Sequence, residues 1–271
     1  MKKLSFLLFG FILLLSSTGY GQTAQEFIEH GREKHKLQDN PGAINDFTKA
    51  IELDFTNYVA YRQRGNAKHA LKDFVGAISD FDKAIEINPR DTLTYCMRGH
   101  AKNAIQDFTG AIIDNTMAIE LYPSYSDAYF DRGYAKNHIE DFLGALDDLN
   151  YGIKIEPNVA RAYNLRGISK SGLKNSNGAI GDFEKSIELD PNDYYAYVLL
   201  GNAKCDLQDN VGAIIDYNKA LEIDSNNAMI FYSRGLARLV LGEKESGCLD
   251  LRKSLELGNS QAEKIITEYC K

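Results

Sequence analysis

The stretch that decides the fold is residues 58–91, YVAYRQRGNAKHALKDFVGAISDFDKAIEINPRD. Its second half carries an apolar stripe at helical spacing, formed by Ala77, Ile78, Phe81, Ala84, Ile85 and Ile87. Asp73 stands before this stripe, where a short acceptor caps free N–H groups, and Pro89 follows it and cannot continue a helix. The first half shows helical spacing as well, and Asp91 is placed to cap the next helix. The stretch therefore predicts two helices joined by a short turn.

The same pattern recurs every 34 residues along the chain. The period is clearest at glycine: Gly31, Gly65, Gly99, Gly133, Gly167, Gly201 and Gly235. An aromatic residue precedes each glycine by four positions, a basic residue follows it by three, and an alanine series and an aspartate series keep the same step. Seven units fit, over residues 24–57, 58–91, 92–125, 126–159, 160–193, 194–227 and 228–261.

The repeated glycine needs a physical reason. A glycine inside a helix costs about 1 kcal/mol relative to alanine, so seven would cost about 7 kcal/mol, which rivals the net stability of a domain. Close approach of the two helices of a unit would offset this cost, and we expect the alanine series to lie opposite the glycines. Because a single helix pair cannot bury its apolar side alone, the units must stack into a solenoid.

A 34-residue helix–turn–helix with aromatic, glycine, alanine, aromatic and proline at these offsets resembles the tetratricopeptide repeat (TPR). The resemblance covers almost the whole chain after the N-terminal segment. It implies an all-α, right-handed superhelical solenoid of about seven helix-turn-helix TPR units. The family's usual apolar residue before the glycine is replaced by Arg64, Arg98, Arg132, Arg166 and Arg234, and its usual tyrosine three residues after the glycine by the basic series. Both departures are familiar in one bacterial branch of the family.

The N-terminal residues resemble a secretory signal peptide. A basic start at residues 1–3 precedes an apolar run at residues 4–15, and small residues dominate residues 16–21. We expect cleavage after Gly21 and an exported protein of the bacterial type, periplasmic or secreted, with no integral membrane segment after cleavage. The alternative is a retained anchor, but the run is shorter than the about 20 residues that span a bilayer.

The last unit and the segment after it contain two cysteines that offer a possible covalent link. Residues 262–271 place apolar side chains on one face and resemble the C-terminal capping helix that closes TPR arrays. Cys248 opens the second helix of the last unit and Cys270 ends the capping helix. In an oxidising compartment these two could form a disulfide, and the alternative is two free thiols. Cys96 and Cys205 lie three units apart and cannot pair with each other.

Several function classes are disfavoured by the composition. The net charge is -7 and no basic stripe is present, so we expect no nucleic-acid partner. No CxxC or HExxH motif occurs, and the histidines have no carboxylate cluster beside them, so no metal or other cofactor is expected. The repeats occupy nearly the whole chain and leave no room for a catalytic domain, which predicts a protein that is not an enzyme. We interpret the arginine and aspartate series as structural ion pairs within each unit.

The resemblance implies that the first helices of the units line a concave groove that binds a protein or peptide. The candidate groove residues are Arg62, Asn66, His100, Phe130, Tyr134, Arg161, Asn164, Tyr195, Asn202 and Tyr232. Polar neighbours are expected at His35 and His69, and apolar ones at Ile168, Met229, Leu236 and Leu239. The alternative for the aromatic members is packing between units. The predicted function is a non-catalytic interaction scaffold, and the runner-up is a chaperone-like holder of exported proteins. Self-association is a further possibility.

Overall fold

The structure is a computed structural model that describes residues 23–271. The predicted signal segment, residues 1–21, lies outside the described residues. Fifteen α-helices form the described part of the chain, and no strand occurs in it. Their bounds are α1 Ala24–Lys36, α2 Asn40–Leu53, α3 Tyr58–Ala70, α4 Phe74–Ile87, α5 Thr92–Ala104, α6 Phe108–Leu121, α7 Ser126–His138, α8 Phe142–Ile155, α9 Ala160–Gly172, α10 Ser176–Leu189, α11 Tyr194–Asp206, α12 Asn210–Ile223, α13 Ala228–Val240, α14 Lys244–Glu256 and α15 Gln261–Tyr269.

Each helix packs against the next one along the chain, and the odd-numbered helices also pack against one another. Contacts join α1 to α3, α3 to α5, and so on to α13, whereas no two even-numbered helices within residues 23–271 make comparable contact. The array therefore curves towards its odd-numbered helices, which line the inner, concave side. The predicted fold class, an all-α solenoid of seven helix pairs with a C-terminal capping helix, is confirmed.

Side-chain caps determine where the helices begin. The Asp73 carboxylate accepts a hydrogen bond from the backbone N–H of Gly76 at 3.0 Å, and Asp91 accepts one from Thr94 at the start of α5. Both predicted caps are confirmed. Five further even-numbered helices begin in the same way, at Asp39, Asp107, Asp141, Asn175 and Asp209. These contacts satisfy N–H groups that have no partner inside the helix.

The recurring glycines make room for a large side chain of the paired helix. A Cβ built on Gly65 would lie 2.6 Å from Cε1 of Phe81, and the same geometry recurs at Gly31, Gly167 and Gly201. The alanine series also lies close to the glycines, as predicted, since a Cβ on Gly99 would be 3.4 Å from the carbonyl oxygen of Ala111, but the nearest side chain belongs to another series. The series four residues after the alanine, one helical turn along, supplies the ring that covers the glycine backbone. The rings of Phe81 and Phe183 are each 1% exposed and fill the centre of their units.

A buried aspartate joins the two helices of most units. The Asp114 carboxylate is 2.6 Å from Nη2 of Arg98 and 2.8 Å from Nζ of Lys102. Equivalent triads form around Asp80, Asp148, Asp182 and Asp250. The predicted arginine–aspartate pairs are confirmed, and the basic series adds a second cation to each carboxylate. Because the carboxylates are almost fully buried, removing a partner would leave an uncompensated charge.

The sixth unit departs from this arrangement. Leu200 occupies the position of the arginine and is itself buried, so Asp216 pairs with Lys204 at 2.7 Å. Burial is the main cause that raises the pKa of the Asp216 carboxyl above its usual value. One cation does less than two to offset the cost of removing a carboxylate from water.

The last helix, α15, covers α14 and buries Ala262 completely. It is tied down by a disulfide between Cys248 and Cys270, whose Cα atoms lie 5.6 Å apart. Lys244 Nζ also donates a hydrogen bond to the backbone carbonyl of Lys271 at 3.1 Å. In residues 23–271, no helix combines the length and the apolar character that crossing a membrane requires.

Candidate functional site

The odd-numbered helices α1 to α13, which form the concave groove, contribute side chains to three cavities. The histidine cavity, of about 250 Å³, lies near the N-terminal end and is lined by His35, Asn66, His69, Phe81, Met97 and His100. The middle cavity, of about 360 Å³, is lined by residues that include Phe142, Ile168, Leu199 and Asn202. The terminal cavity, of about 830 Å³, is lined by residues that include Leu236, Leu239, Val240, Ile265 and Tyr269.

The histidine cavity combines apolar wall residues with polar atoms, some of which have no hydrogen-bond partner among the described residues. The ring of His69 lies 5.0 Å from that of His100 and 5.1 Å from that of Phe74, measured between centroids. Burial, and after it the neighbouring His100, lowers the pKa of the His69 imidazole below its usual value. Two buried atoms that line this region, Asn66 Oδ1 and His69 Nε2, have no hydrogen-bond partner among the described residues.

The centre of the groove carries an aromatic and basic cluster. The guanidinium of Arg161 lies 5.8 Å from the centroid of the Tyr134 ring and 2.8 Å from Oδ1 of the buried Asp131. Tyr195 is 48% exposed, and partial burial followed by the proximity of Tyr134 raises the pKa of its hydroxyl. The structure thus brings together three candidate residues from α7, α9 and α11. Arginine and tyrosine are the residue types that most often dominate protein interfaces.

The remaining accessible candidates lie at or near the other two cavities. Asn202 lines the middle cavity and is exposed, and its Oδ1 accepts a hydrogen bond from the Tyr217 hydroxyl at 2.7 Å. Tyr232 is partly exposed on α13, the helix that supplies Leu236 and Leu239 to the terminal cavity. Met229, at the start of the same helix, is 53% exposed.

Phe130 is not a groove residue, which corrects the sequence prediction. It is 2% exposed, and a Cβ on Gly152 would lie 2.5 Å from its Cε1 atom. Gly152 stands where most other units have alanine. The smaller residue opens space between α7 and α8 for a large ring, which then packs in the core. Its core cluster also includes Ala162, Tyr163 and Leu165 of the next unit, so the alternative stated for the aromatic candidates, packing between units, applies to Phe130.

Asn164 is also buried, and Arg62 is engaged within the protein. Asn164 Nδ2 donates to the Asp193 carboxylate at 2.8 Å, and Arg62 Nη1 lies 2.7 Å from the Asp91 carboxylate. Asp91 and Asp193 are the caps of the following odd-numbered helices. Both candidates therefore join one unit to the next, because each contacts the capping residue of the next odd-numbered helix. The prediction that Asn164 is a groove residue was wrong, since it has a structural role, and the side chain of Arg62 is only slightly exposed.

Comparison with protein families matches three stretches of the chain. The family described as "Tetratricopeptide repeat" matches residues 59–91 and 160–193, and the one described as "TPR repeat" matches residues 201–242. These stretches are tetratricopeptide repeats. Each of them contains the glycine and the buried large side chain that pack together in its unit.

Solved structures with TPR repeats share the architecture. A tetratricopeptide repeat protein from Parabacteroides merdae ATCC 43184 has a TM-score of 0.73 and 18% identity, and the match covers 93% of this chain and 100% of that one. YrrB, described as a TPR protein with an unusual peptide-binding site, has a TM-score of 0.56 and 20% identity, and the match covers 69% of this chain and 97% of that one. MamA has a TM-score of 0.54 and 27% identity, and the match covers 61% of this chain and 96% of that one. No curated protein sequence matches the chain.

Sequence reasoning missed part of the groove. Val240, which is 71% exposed, and Ile265 and Tyr269 of α15 line the terminal cavity. The 34-residue register does not extend to α15, so its side chains could not be assigned to the groove by position. The apolar face of residues 262–271 was the available signal, and it was assigned to capping alone.

The cysteines and histidines are the candidates for metal ligands or reactive groups in the part of the chain that the structure describes. No group of three or more metal-binding side chains within residues 23–271 has the geometry to hold a metal ion. Burial raises the pKa of the Cys96 thiol and of the Cys205 thiol, which disfavours the reactive thiolate. Cys248 and Cys270 are joined to each other, at an Sγ–Sγ distance of 2.00 Å.

Proposed function

We propose that the protein is a non-catalytic scaffold that binds an extended segment of another protein in its concave groove. The observation that carries this proposal is that odd-numbered helices contribute to the lining of three separate cavities. A segment that lies along these helices could place its side chains into them. TPR repeats are typical of protein-interaction scaffolds, and YrrB, a protein with a similar fold, is described as having a peptide-binding site, which supports the proposal.

The chemistry changes along the groove, which would fix the direction of the bound segment. The histidine cavity offers polar contacts, Tyr134, Arg161 and Tyr195 offer aromatic and cationic contacts in the centre, and the terminal cavity is mainly apolar. A segment with a polar end and an apolar end gains from only one orientation. Specificity of this kind follows from the cost of placing an apolar group against unpaired polar atoms.

Export is part of the proposal. The N-terminal pattern of a basic start, an apolar run and small residues supports a cleaved signal, and the disulfide at the C-terminal end suits an oxidising compartment. Mass spectrometry of protein isolated from the cell envelope or medium tests both points. The expected result is a chain that begins at Gln22 with Cys248 and Cys270 linked. A chain that retains residue 1, or free thiols at both positions, would contradict it.

Cross-linking capture from the native cell envelope tests the groove. The groove variant is Tyr195→Ala/Met229→Ala, since both side chains are about half exposed. The matched control is Tyr151→Ala/Leu143→Ala on α8, which removes the same kinds of exposed side chain from an even-numbered helix. We expect one or two proteins to disappear from the groove variant's capture and to remain in the control's.

Two other results are informative. Equal loss from the groove and control variants would contradict the groove assignment. Capture of many unrelated exported proteins by the wild-type chain would favour the chaperone-like holder, for which the apolar lining of the terminal cavity is the supporting observation. A solution mass above that of one chain would instead indicate self-association.

A further inference from the structure

The histidine cavity is bordered by two buried polar atoms that lack hydrogen-bond partners. Asn66 Oδ1 and His69 Nε2 are buried and unpartnered within residues 23–271, and they lie three residues apart on α3. Residues at that spacing share one face of a helix, about 5–6 Å apart at Cβ. A buried polar atom without a partner is destabilising, so a ligand that satisfies both atoms would be favoured. This reasoning rests on the proposed use of the groove and concerns the chemistry of one of its subsites.

The lining argues against a charged ligand group. The titratable residues of the cavity are His35, His69 and His100, and no carboxylate is among its lining residues, so a cation would have no counter-charge. A carboxylate would meet the Asn66 oxygen, which can only accept hydrogen bonds. Burial and the neighbouring His100 lower the pKa of His69, which disfavours the charged imidazolium that would attract an anion.

The lining also disfavours a purely apolar group. A methyl or phenyl group would leave Asn66 Oδ1 and His69 Nε2 unpaired and remove both from water. The ligand group must therefore be neutral and must carry a donor for the oxygen and a partner for the ring nitrogen. It must also have apolar carbon to lie against Phe81 and Met97, which complete the cavity wall.

We propose that the histidine cavity binds the primary carboxamide of an asparagine or glutamine side chain of the partner segment. The carboxamide NH₂ donates to Asn66 Oδ1, and the carboxamide oxygen accepts from His69 Nε2–H. The side-chain methylenes lie against Phe81 and Met97. His35 Nδ1 donates a hydrogen bond to Asn40 Oδ1 at 2.5 Å, because an amide oxygen can only accept, and this bond orients the imidazole that lines the cavity.

Nuclear magnetic resonance titration of the whole mature protein with three small probes tests the proposal. The probes are N-acetylglutamine N-methylamide and its glutamate and methionine analogues, added at pH 7 while the histidine ring signals are recorded. The expected result is a saturable shift of the His69 signals with the glutamine probe, at a concentration at which the other two cause none. Asn66→Leu should weaken the glutamine response about fivefold or more, which equals the loss of about one hydrogen bond. His138→Phe, an exposed histidine of α7 outside the three cavities, is the control and should leave it unchanged.

Three outcomes would overturn the proposal. A stronger response to the glutamate probe would show a site for carboxylates, and an equal response to the methionine probe would show a site for apolar groups. No saturable response to the glutamine probe would show that the cavity does not bind a carboxamide. The comparison of probes uses the wild-type chain, so it stands even if a variant folds poorly. It is also independent of the capture experiment, whose substitutions lie on α11 and α13.

Discussion

Two glycines of the fifth unit, Gly167 on α9 and Gly181 on α10, should respond in opposite ways to the same substitution. A Cβ at Gly167 would lie 2.4 Å from Cε1 and 2.8 Å from both Cδ1 and Cζ of Phe183. A Cβ at Gly181 would have no heavy atom within 4 Å. Gly167→Ala and Gly181→Ala therefore add the same methyl group to a crowded position and to an open one.

The change in unfolding free energy has two contributions, the helix propensity of alanine and the overpacking of the added methyl group. Replacing glycine by alanine inside a helix stabilises it by about 1 kcal/mol at either site. At Gly167 the added carbon must push Phe183 back by about 1 Å to reach the ordinary contact distance of about 3.5 Å. That ring is 1% exposed in a close-packed interior, and overpacking of this kind costs about 1–3 kcal/mol. Gly181→Ala should gain about 1 kcal/mol, and Gly167→Ala should lose up to about 2 kcal/mol.

Urea unfolding followed by far-ultraviolet circular dichroism measures this difference. Both substitutions lie in one unit, so any departure of the solenoid from two-state unfolding affects them alike. The difference between the variants isolates the packing term because the helix-propensity term cancels. For a chain of this length, each 1 kcal/mol corresponds to about 2–4 °C in Tm, which provides a second readout. A Gly167→Ala variant stabilised as much as Gly181→Ala would refute the close approach of ring and glycine.

Four further perturbations test other parts of the structure. Asp114→Asn should lower the free energy of unfolding by about 3 kcal/mol because it leaves two cations without their carboxylate, whereas Asp216→Asn should cost less because burial already raises the pKa of that carboxyl. Phe130→Ala should cost about 3–5 kcal/mol in the same urea assay. The His69 imidazole should titrate in nuclear magnetic resonance at a lower pH than in the urea-unfolded chain. Cys270→Ser should raise amide hydrogen exchange in α15 and cost about 3 kcal/mol, the usual effect of a disulfide that closes a short loop.

The sign of the His69 effect follows from its lowered pKa. The folded protein favours the neutral ring, so the stability that His69 contributes is present above the unfolded pKa of about 6.5 and is lost as pH falls through the lower folded pKa. A higher pKa in the folded protein would contradict the geometry of the cavity. Equal losses of unfolding free energy for the two aspartate variants would contradict the difference between their ion pairs. A Phe130→Ala variant with unchanged stability would contradict the burial of that ring. Unchanged hydrogen exchange in α15 of the Cys270→Ser variant would contradict the role of the disulfide in holding that helix.

The fold was predictable because its determinants repeat. Seven registered copies of glycine, aromatic residue and aspartate average out the ambiguity of any single helix, and caps such as Asp73 mark the helix starts. The ion pairs were predictable for the same reason, since Arg98 and Asp114 keep a fixed separation in register. The side chain that packs on each glycine was not predictable, because sequence spacing does not say which side chain of the opposite helix points at the glycine.

The groove was only partly predictable, because position in the repeat does not determine exposure. Phe130 shares its position with Tyr232, yet the first is buried against Gly152 and the second is partly exposed. Exposure at this position depends on the size of a residue on the paired helix, which varies between units. Asn164 is likewise not available to a ligand in the groove, because it donates a hydrogen bond to Asp193, the cap of a helix in the following unit. That contact depends on three-dimensional proximity, which the sequence does not give.

The most direct test of the central claim is hydrogen exchange of the captured complex compared with the free protein. The account predicts that the bound partner protects amides of the odd-numbered helices, most strongly around the three cavities on α3, α9 and α13. The even-numbered helices, which form the outer face, should exchange as in the free protein. Protection confined to the even-numbered helices would contradict a binding groove on the concave face.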